Sequence, residues 1–349
     1  MRALCWTLLL ALTASGCFFG GDGEDECSPG GEKIAEAHQA LATLTGDDEA
    51  LYYLDWEDTD LETSRGVTLV TRLAKDGGEP EVLVRSDAEE AYAKKRIAVD
   101  ATHVYYLDHC IPAAPTCARL FRVPSRGGDP ELLVEDRVHD FMLRGDTIVY
   151  STSDENGLQE GEPDGSLWSL DKAGGEPEEL ASGLYHLRDV ELDAGDAIYF
   201  TDTEGPDLGP WRLRRLGAAE PVSVFPTTWF GPPIVAQDDR YLFLLADLRI
   251  VRVPKQGGDW EPASPPREYG IAAATAYDGV LYGADAGLWW SEGDDGPSHY
   301  ECGAVVAVIA GGSAYQELAA ETEEASAIWV DDRYVFWTSY RGAIFQTPR

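Results

Sequence analysis

The chain has 349 residues with 63 acidic and 27 basic side chains, which gives a formal net charge of -36. This excess of negative charge leaves little to neutralise phosphates, so the sequence predicts no nucleic-acid partner. An anionic lipid surface would also repel the chain, so attachment to a membrane requires an anchor.

The N-terminal residues are typical of an export signal. Arg2 precedes an apolar run of about a dozen residues, long enough for a signal peptide and too short to span a bilayer. The following "ASGC" resembles a bacterial lipobox, which implies cleavage before Cys17 and lipid on its sulfur. Plain secretion with an ordinary Cys17 thiol is the alternative. We predict a signal peptide at 1–16, an acidic, Gly-rich tether at 17–29 and one folded domain at 30–349, exported and lipid-anchored to the cell envelope.

Four further cysteines fall in the predicted mature chain. An even number of cysteines in an exported protein favours two disulfides. A bond between Cys110 and Cys117 would close the short loop "CIPAAPTC", which leaves Cys27 to pair with Cys302. A zinc site at His109, Cys110 and Cys117 is the alternative, but the paired C-x-x-C spacing is absent. We therefore predict disulfides and no metal.

A repeated pattern runs through the rest of the chain. Its mark is a Gly-Gly pair that follows a short apolar run, as in "LFRVPSRGG" and "IVRVPKQGG". Glycine tolerates the positive φ of tight hairpins, so each pair predicts a strand–turn–strand unit. A second hairpin precedes each unit and contains aromatic, β-branched runs such as "VYYLD", "IYFTD" and "YVFWT". These are strong strand signals.

Each repeat thus contains four antiparallel strands, with a period of roughly 45 residues, which is typical of a β-propeller. The last copy has only three strands and ends at "TPR". The segment "SPGGEKIAEA" at 28–37 matches the missing fourth strand. We predict an all-β, single β-propeller of seven four-stranded blades, with six as the alternative, closed by an N-terminal strand that completes the last blade.

The repeat "IAVD…VYYLD…LFRVPSRGGDPELLVE" resembles the YWTD family of propellers and is similar to TolB-type repeats. The runs "IYFTD" and "VFWTS" come closest to the motif that names the family. The resemblance covers nearly the whole predicted mature chain. It implies the fold, and implies little about activity, because propellers carry many unrelated functions.

Motifs for catalysis, phosphate binding or an EF-hand are absent from the sequence. The acidic stretch "SDENGLQEGEPDG" at 153–165 could surround calcium, but it lacks EF-hand alternation and is better explained as a solvated loop. We predict no catalytic residue and no cofactor.

A binding face is predicted where the first strand of each blade begins, because these entries surround one mouth of the central channel. Histidines recur there in three blades, and other charged and aromatic residues accompany them. The predicted set is His38, Arg96, His139, Asp140, His186, Arg188, Trp229 and Tyr269. The alternative is that these side chains only cap strand ends.

The function predicted from these features is a membrane-anchored scaffold that binds a protein or another envelope partner. One alternative is a propeller-type enzyme, lyase or lactonase-like, with its site at the channel mouth. The other is a purely structural envelope protein.

Overall fold

The computed structural model describes part of the chain in detail. The described residues are 30–38, 40–60, 65–86, 96–109, 118–135, 137–152, 163, 165–193, 195–205, 210–225, 233–246, 249–266, 271–285, 288–291, 298–309, 312, 314–322, 325–339 and 342–349. They form β-strands, turns and bends. They contain no helix, so none of them provides a helical membrane span.

The strands form six main sheets in chain order. The first strand of the chain, β1 (Glu32–Glu36), joins the last of them. Sheet I consists of β2 (Ala40–Gly46), β3 (Ala50–Asp60), β4 (Arg65–Ala74) and β5 (Glu81–Arg85). Sheet II consists of β6 (Ile97–Val99), β7 (His103–His109), β8 (Ala118–Pro124) and β9 (Glu131–Val134).

Sheet III is larger, with seven strands. They are β10 (Val138–Arg144), β11 (Thr147–Thr152), β12 (Gly165–Asp171), β13 (Glu178–Leu192), β14 (Ile198–Thr203), β15 (Trp211–Arg215) and β16 (Ser223–Phe225). The early part of β13 pairs with β12 and its later part pairs with β14, so one long strand serves two groups of four.

Two four-stranded sheets and an inserted hairpin follow. Sheet IV consists of β17 (Ile234–Gln237), β18 (Tyr241–Ala246), β19 (Arg249–Pro254) and β20 (Glu261–Pro262). Sheet V begins with β21 (Ala273–Tyr277) and β22 (Val280–Ala284), continues past the hairpin β23 (Leu288–Ser291) and β24 (Ser298–Glu301), and ends with β25 (Gly303–Ile309) and β26 (Gln316–Thr322).

Sheet VI brings the two ends of the chain together. It consists of β27 (Ala325–Val330), β28 (Tyr334–Ser339), β29 (Ala343–Pro348) and β1, in that order. Strand β1 runs antiparallel to β29, with Glu32 opposite Gln346 and Glu36 opposite Ala343. The predicted pairing of an N-terminal strand with the last strand of the chain is confirmed. It covers an edge of β29 that would otherwise be open to other strands.

Two kinds of turn recur. Between third and fourth strands, a glycine adopts φ between 83° and 98° at Gly77, Gly127, Gly174 and Gly257, a region that side chains disfavour. Between first and second strands, one carboxylate oxygen of an aspartate accepts two backbone N–H groups at 2.7–2.9 Å. These turn aspartates are Asp47, Asp100, Asp193, Asp238 and Asp331.

The core lies between neighbouring sheets. Tyr282 and Val305 of sheet V pack with Val330 and Trp337 of sheet VI, and Trp337 is fully buried. A similar cluster joins sheets I and II. Burial of a large apolar side chain contributes about 1.5–3 kcal/mol, so these interfaces hold the sheets to one another.

Neighbouring sheets contact one another largely through their first strands. Strand β2 contacts β27 and β6, β13 contacts β10 and β17, and β21 contacts β17 and β27, while β10 contacts the third strand of sheet II, β8. The molecule is therefore an all-β protein with a β-propeller arrangement, in which each sheet is packed between two neighbours.

Candidate functional site

The structure brings together two residues of the predicted binding face. Arg96 immediately precedes β6, and Asp140 lies in β10 of the next sheet. The Arg96 Nη1 atom lies 2.7 Å from both carboxylate oxygens of Asp140. The same carboxylate accepts backbone N–H groups from Phe141 at 2.9 Å and Val190 at 2.8 Å. Asp140 thus fixes Arg96 and ties β10 to β13.

A second carboxylate approaches Arg96 from β13. Arg96 Nη2 lies 3.8 Å from Glu191 Oε2. Glu191 Oε1 accepts a hydrogen bond of 2.7 Å from Gln237 of β17, and Gln237 Oε1 accepts one of 2.7 Å from Lys255 Nζ. We call Arg96, Asp140, Glu191, Gln237 and Lys255 the inner-strand network. It runs across sheets II, III and IV.

Burial governs the electrostatics of this network. Burial raises the pKa of Glu191 above its ordinary 4.5, and attraction to Arg96 together with the Gln237 hydrogen bond offsets only part of that effect. Burial alone lowers the pKa of Arg96, but the carboxylates of Asp140 and Glu191 outweigh it and raise that pKa overall. The Arg96 side chain as a whole is 31% exposed, while its guanidinium is held between the carboxylates of Asp140 and Glu191.

Strained backbone lies next to the network. His186 and Asp189 in β13 have φ of 49° and 27°, and Arg137, just before β10, has φ of 55°. Register shifts accompany these residues in both strands. Left-handed conformations of residues with side chains cost on the order of 1–3 kcal/mol each and often mark functional sites.

The remaining described residues of the predicted set lie in or beside sheets I and III. His38 is exposed, and its Nδ1 atom and backbone N–H lie 3.0 Å from Oδ2 of Asp55 in sheet I. The Arg188 guanidinium stacks over the Trp211 ring at 5.6 Å. His139 adjoins Asp140 in β10. Trp229 and Tyr269 lie outside the described residues.

Sequence reasoning missed Glu191, Gln237 and Lys255. The available signal was a polar side chain late in a first strand, where "VELD" and "IVAQD" place Glu191 and Gln237. First strands line the axis of a propeller, so a polar residue there faces other inner strands rather than bulk solvent. Lys255 carried no such signal, because it lies in a turn.

A buried aspartate recurs in the second strand of several sheets, directly after the aromatic run in "LYYLD", "VYYLD" and "IYFTD". Asp55, Asp108 and Asp202 occupy this place in β3, β7 and β14, and all are at least 95% buried. Asp202 is held by Arg212 at 2.8 Å and Arg214 at 3.1 Å, while burial raises its pKa despite both guanidinium groups. These aspartates bond within or beside their own sheets.

The described residues test only part of the cysteine and metal predictions. Cys302 is disulfide-bonded, while Cys17, Cys27, Cys110 and Cys117 lie outside the described residues, so both pairings remain predictions. The described part of the chain contains no group of three or more His, Cys, Asp or Glu side chains arranged to hold a metal ion.

Comparisons with known proteins identify the fold. No protein-family model matches the chain, and no curated protein matches it in sequence. The β-propeller domain of the trilobed protease from Pyrococcus furiosus is similar at a TM-score of 0.56 and 11% identity, over 90% of this chain and 94% of that one. BamB from Moraxella catarrhalis is similar at 0.51 and 10%, over 91% and 99%. The computationally designed Ika8 protein is similar at 0.53 and 12%, over 91% and 100%. At these identities the likeness shows a β-propeller and no more.

Proposed function

We propose that this protein is a rigid binding scaffold that holds a protein or envelope partner against the face where its first strands begin. The observation that carries this proposal is the convergence of Arg96, Asp140 and Glu191 from sheets II and III. Their geometry is fixed by hydrogen bonds before any partner arrives, and preorganised charged groups lose little entropy on binding.

The charge of the chain favours a basic partner. A formal net charge of -36 attracts cationic surfaces over long distances and accelerates their encounter. Once the partner is docked, the partly exposed Arg96 side chain and its two carboxylates present a local pattern of alternating charge. A hydrogen-bond acceptor flanked by basic groups fits that pattern.

We also propose export and lipid anchoring through Cys17, from the apolar run and the "ASGC" stretch. Under this proposal the acidic tether at 17–29 suspends the propeller from the envelope membrane, on its periplasmic or outer side. In the native host, Cys17→Ala should release the protein from membranes. Retention after a high-salt wash would contradict the anchor.

We further propose a ring of seven blades built from a YWTD-like repeat. The six main sheets give seven blades when the two groups of four strands that share β13 are counted separately. The buried aspartates Asp55, Asp108 and Asp202 support a YWTD-like repeat, because each stands where the repeat ends its aromatic strand. Limited proteolysis that cuts within β13 without separating its two groups would support the shared-strand arrangement.

A propeller-type enzyme is the second candidate, and one observation favours it. The raised pKa of Glu191 beside Arg96 is the kind of perturbation that acid–base sites use. A pH-dependent turnover that disappears in Glu191→Gln, with folding intact, would favour this candidate over the scaffold.

The scaffold is tested by co-purification from detergent-solubilised native membranes after cross-linking. Arg96→Ala should reduce recovery of the bound partner at least tenfold. Arg119→Ala is the matched control, because Arg119 has similar exposure and also pairs with a buried aspartate, Asp108. Equal recovery by both variants, with unchanged melting temperature, would contradict the proposed face.

A further inference from the structure

A repeated cation ties several sheets to the first turn of the sheet before them. In four places, the residue directly after a third strand carries a positive charge and approaches an aspartate in the first turn of the preceding sheet. The pairs are Lys75–Asp331 at 2.8 Å, Lys172–Asp100 at 2.8 Å, Lys255–Asp193 at 3.7 Å and Arg349–Asp278 at 3.8 Å. The third strands end at Ala74, Asp171, Pro254 and Pro348.

The turn at Asp238 has the same backbone hydrogen bonds as the turn at Asp331, which pairs with such a cation. Its Oδ1 accepts the backbone N–H groups of Arg240 and Tyr241, both at 2.7 Å. The turn has the sequence Asp-Asp-Arg, the same three residues as Asp331-Asp332-Arg333 in sheet VI. Asp331 uses its second oxygen to bind Lys75.

The cation for Asp238 is missing. The corresponding third strand, β25, ends at Ile309, and the next residue is Ala310, which carries no charge. Within the described residues, no ion pair involves Asp238 or Asp239. Instead, a cleft of about 450 Å³ opens between sheets IV and V. Its lining includes Asp238, Asp239, Phe243, Tyr277 and Asp278, and we call it the junction cleft.

At another junction, where no lysine follows the third strand, the aspartate of the facing turn has a different partner. Ser125 follows β8, and the turn it faces contains Asp47, whose Oδ2 accepts the Tyr52 hydroxyl at 2.9 Å. Arg126 also reaches Glu49 of that turn at 3.2 Å. The junction cleft therefore stands apart as a turn of the lysine-binding type with open space beside it.

We propose that the junction cleft binds a primary alkylammonium group, which takes the place that lysine occupies at the other junctions. The chemistry follows from the lining. Asp238 and Asp239 supply carboxylates for charge-assisted hydrogen bonds, and Phe243 offers an apolar wall for a methylene chain. The volume lies within the range of small-molecule sites, about 300–1,000 Å³.

The ammonium group has two possible sources, a free aliphatic amine or a lysine side chain of a partner protein. A metal ion is disfavoured, since no described cluster provides a set of ligands for one. Arg240 leaves the cleft with an excess of carboxylates, so a single positive charge complements it. The lining described for the cleft includes Gln237 of the inner-strand network but neither Arg96 nor Asp140, so a variant at Asp239 tests this inference separately from the proposed scaffold face.

The experiment measures binding of 1,5-diaminopentane and of a short peptide with one lysine to the purified protein at low ionic strength, by calorimetry. Both probes are repeated with their amines acetylated. We expect saturable one-site binding that is lost on acetylation. Binding of both probes indicates a site open to free amines, whereas binding of the peptide alone identifies lysine of a partner as the source.

Two variants locate the site. Asp239→Asn should weaken binding at least tenfold, while Asp332→Asn, which removes the same charge from the matching turn in sheet VI, should leave it unchanged. Equal weakening by the two Asn variants or binding of the acetylated probes would overturn the proposal.

Discussion

Lys75 and Asp331 are 256 positions apart in the sequence, yet Lys75 Nζ lies 2.8 Å from Asp331 Oδ2. The pair joins sheet I to sheet VI, the junction at which the chain closes its ring. The Lys75 ammonium also lies 4.6 Å from the centre of the Trp329 ring. The same side chain thus serves an ion pair and a cation–π contact at the closure.

Lys75→Ala should destabilise the protein by about 1–3 kcal/mol, because a hydrogen bond to a charged, mostly buried partner is lost. Lys75 and Asp331 are only 19% and 14% exposed, so water does not replace the bond fully. Arg126→Ala is the control, since its pair with Glu49 also links two sheets but is 79% and 61% exposed. Urea unfolding should show a negligible change for the control.

The Asp331 pair should also make stability depend on pH in acid. Burial raises the pKa of Asp331, but hydrogen bonds from Lys75 and two backbone N–H groups outweigh it and hold that pKa below its ordinary 3.8. The stabilisation is therefore complete above 3.8 and is lost as pH falls through the folded-state pKa. The difference in unfolding free energy between the wild type and Asp331→Asn should shrink below pH 3.8. A constant difference would contradict this role.

Glu191→Gln should change the pH dependence of the unfolding free energy in the opposite direction to Asp331→Asn. The folded-state pKa of Glu191 is raised, so the folded protein binds this proton more tightly than the unfolded chain. Wild-type stability should gain from this group as pH falls toward 4.5, and the variant should lack that gain. At neutral pH the glutamine can still accept the Gln237 hydrogen bond, so we expect Glu191→Gln to be neutral or slightly stabilising. Thermal melts at several pH values would measure both effects, with Glu81→Gln as an exposed control.

Deletion of residues 28–36 should open the ring. It removes β1 and leaves β29 with an unpaired edge beside Ile344 and Phe345, which are buried in the intact protein. Size-exclusion chromatography should show aggregation, and the melting temperature should fall. Lys33→Ala, which keeps the strand but removes its Glu36 ion pair, should behave as the wild type. A monomeric, equally stable deletion would show that β1 is dispensable.

Sequence reasoning predicted the parts of this fold that local chemistry determines. Aromatic strands such as β7, the glycine turns and the N-terminal strand all have signals within a few residues. The shared strand β13 was not predicted, because the repeat separates the fourth strand of one blade from the first strand of the next and places His186 at that boundary, whereas the strand runs through it from Glu178 to Leu192. The hairpin β23–β24 was also missed, because the four-stranded repeat predicts no further strands between the second and the third.

The candidate site was harder to predict for a related reason. Arg96 and Asp140 were placed at the same face, because both lie where a first strand begins. Their contact, and the addition of Glu191 and Gln237, depends on how far β10, β13 and β17 rotate against one another. Packing between the sheets sets that rotation, and the spacing of the repeats in the sequence does not reveal it.

Strand β1 has a mechanical consequence. It is held in sheet VI by hydrogen bonds to β29. If Cys27 pairs with Cys302, as the cysteine pattern predicts, a pull on the N-terminus passes through that disulfide to the residue before β25 of sheet V, and β1 is spared. In the reduced protein the same pull reaches the ring through β1, so the ring should open there while the remaining sheets stay packed. The disulfide would therefore decide whether a chain held by its N-terminus fails at the strand nearest to the point of attachment.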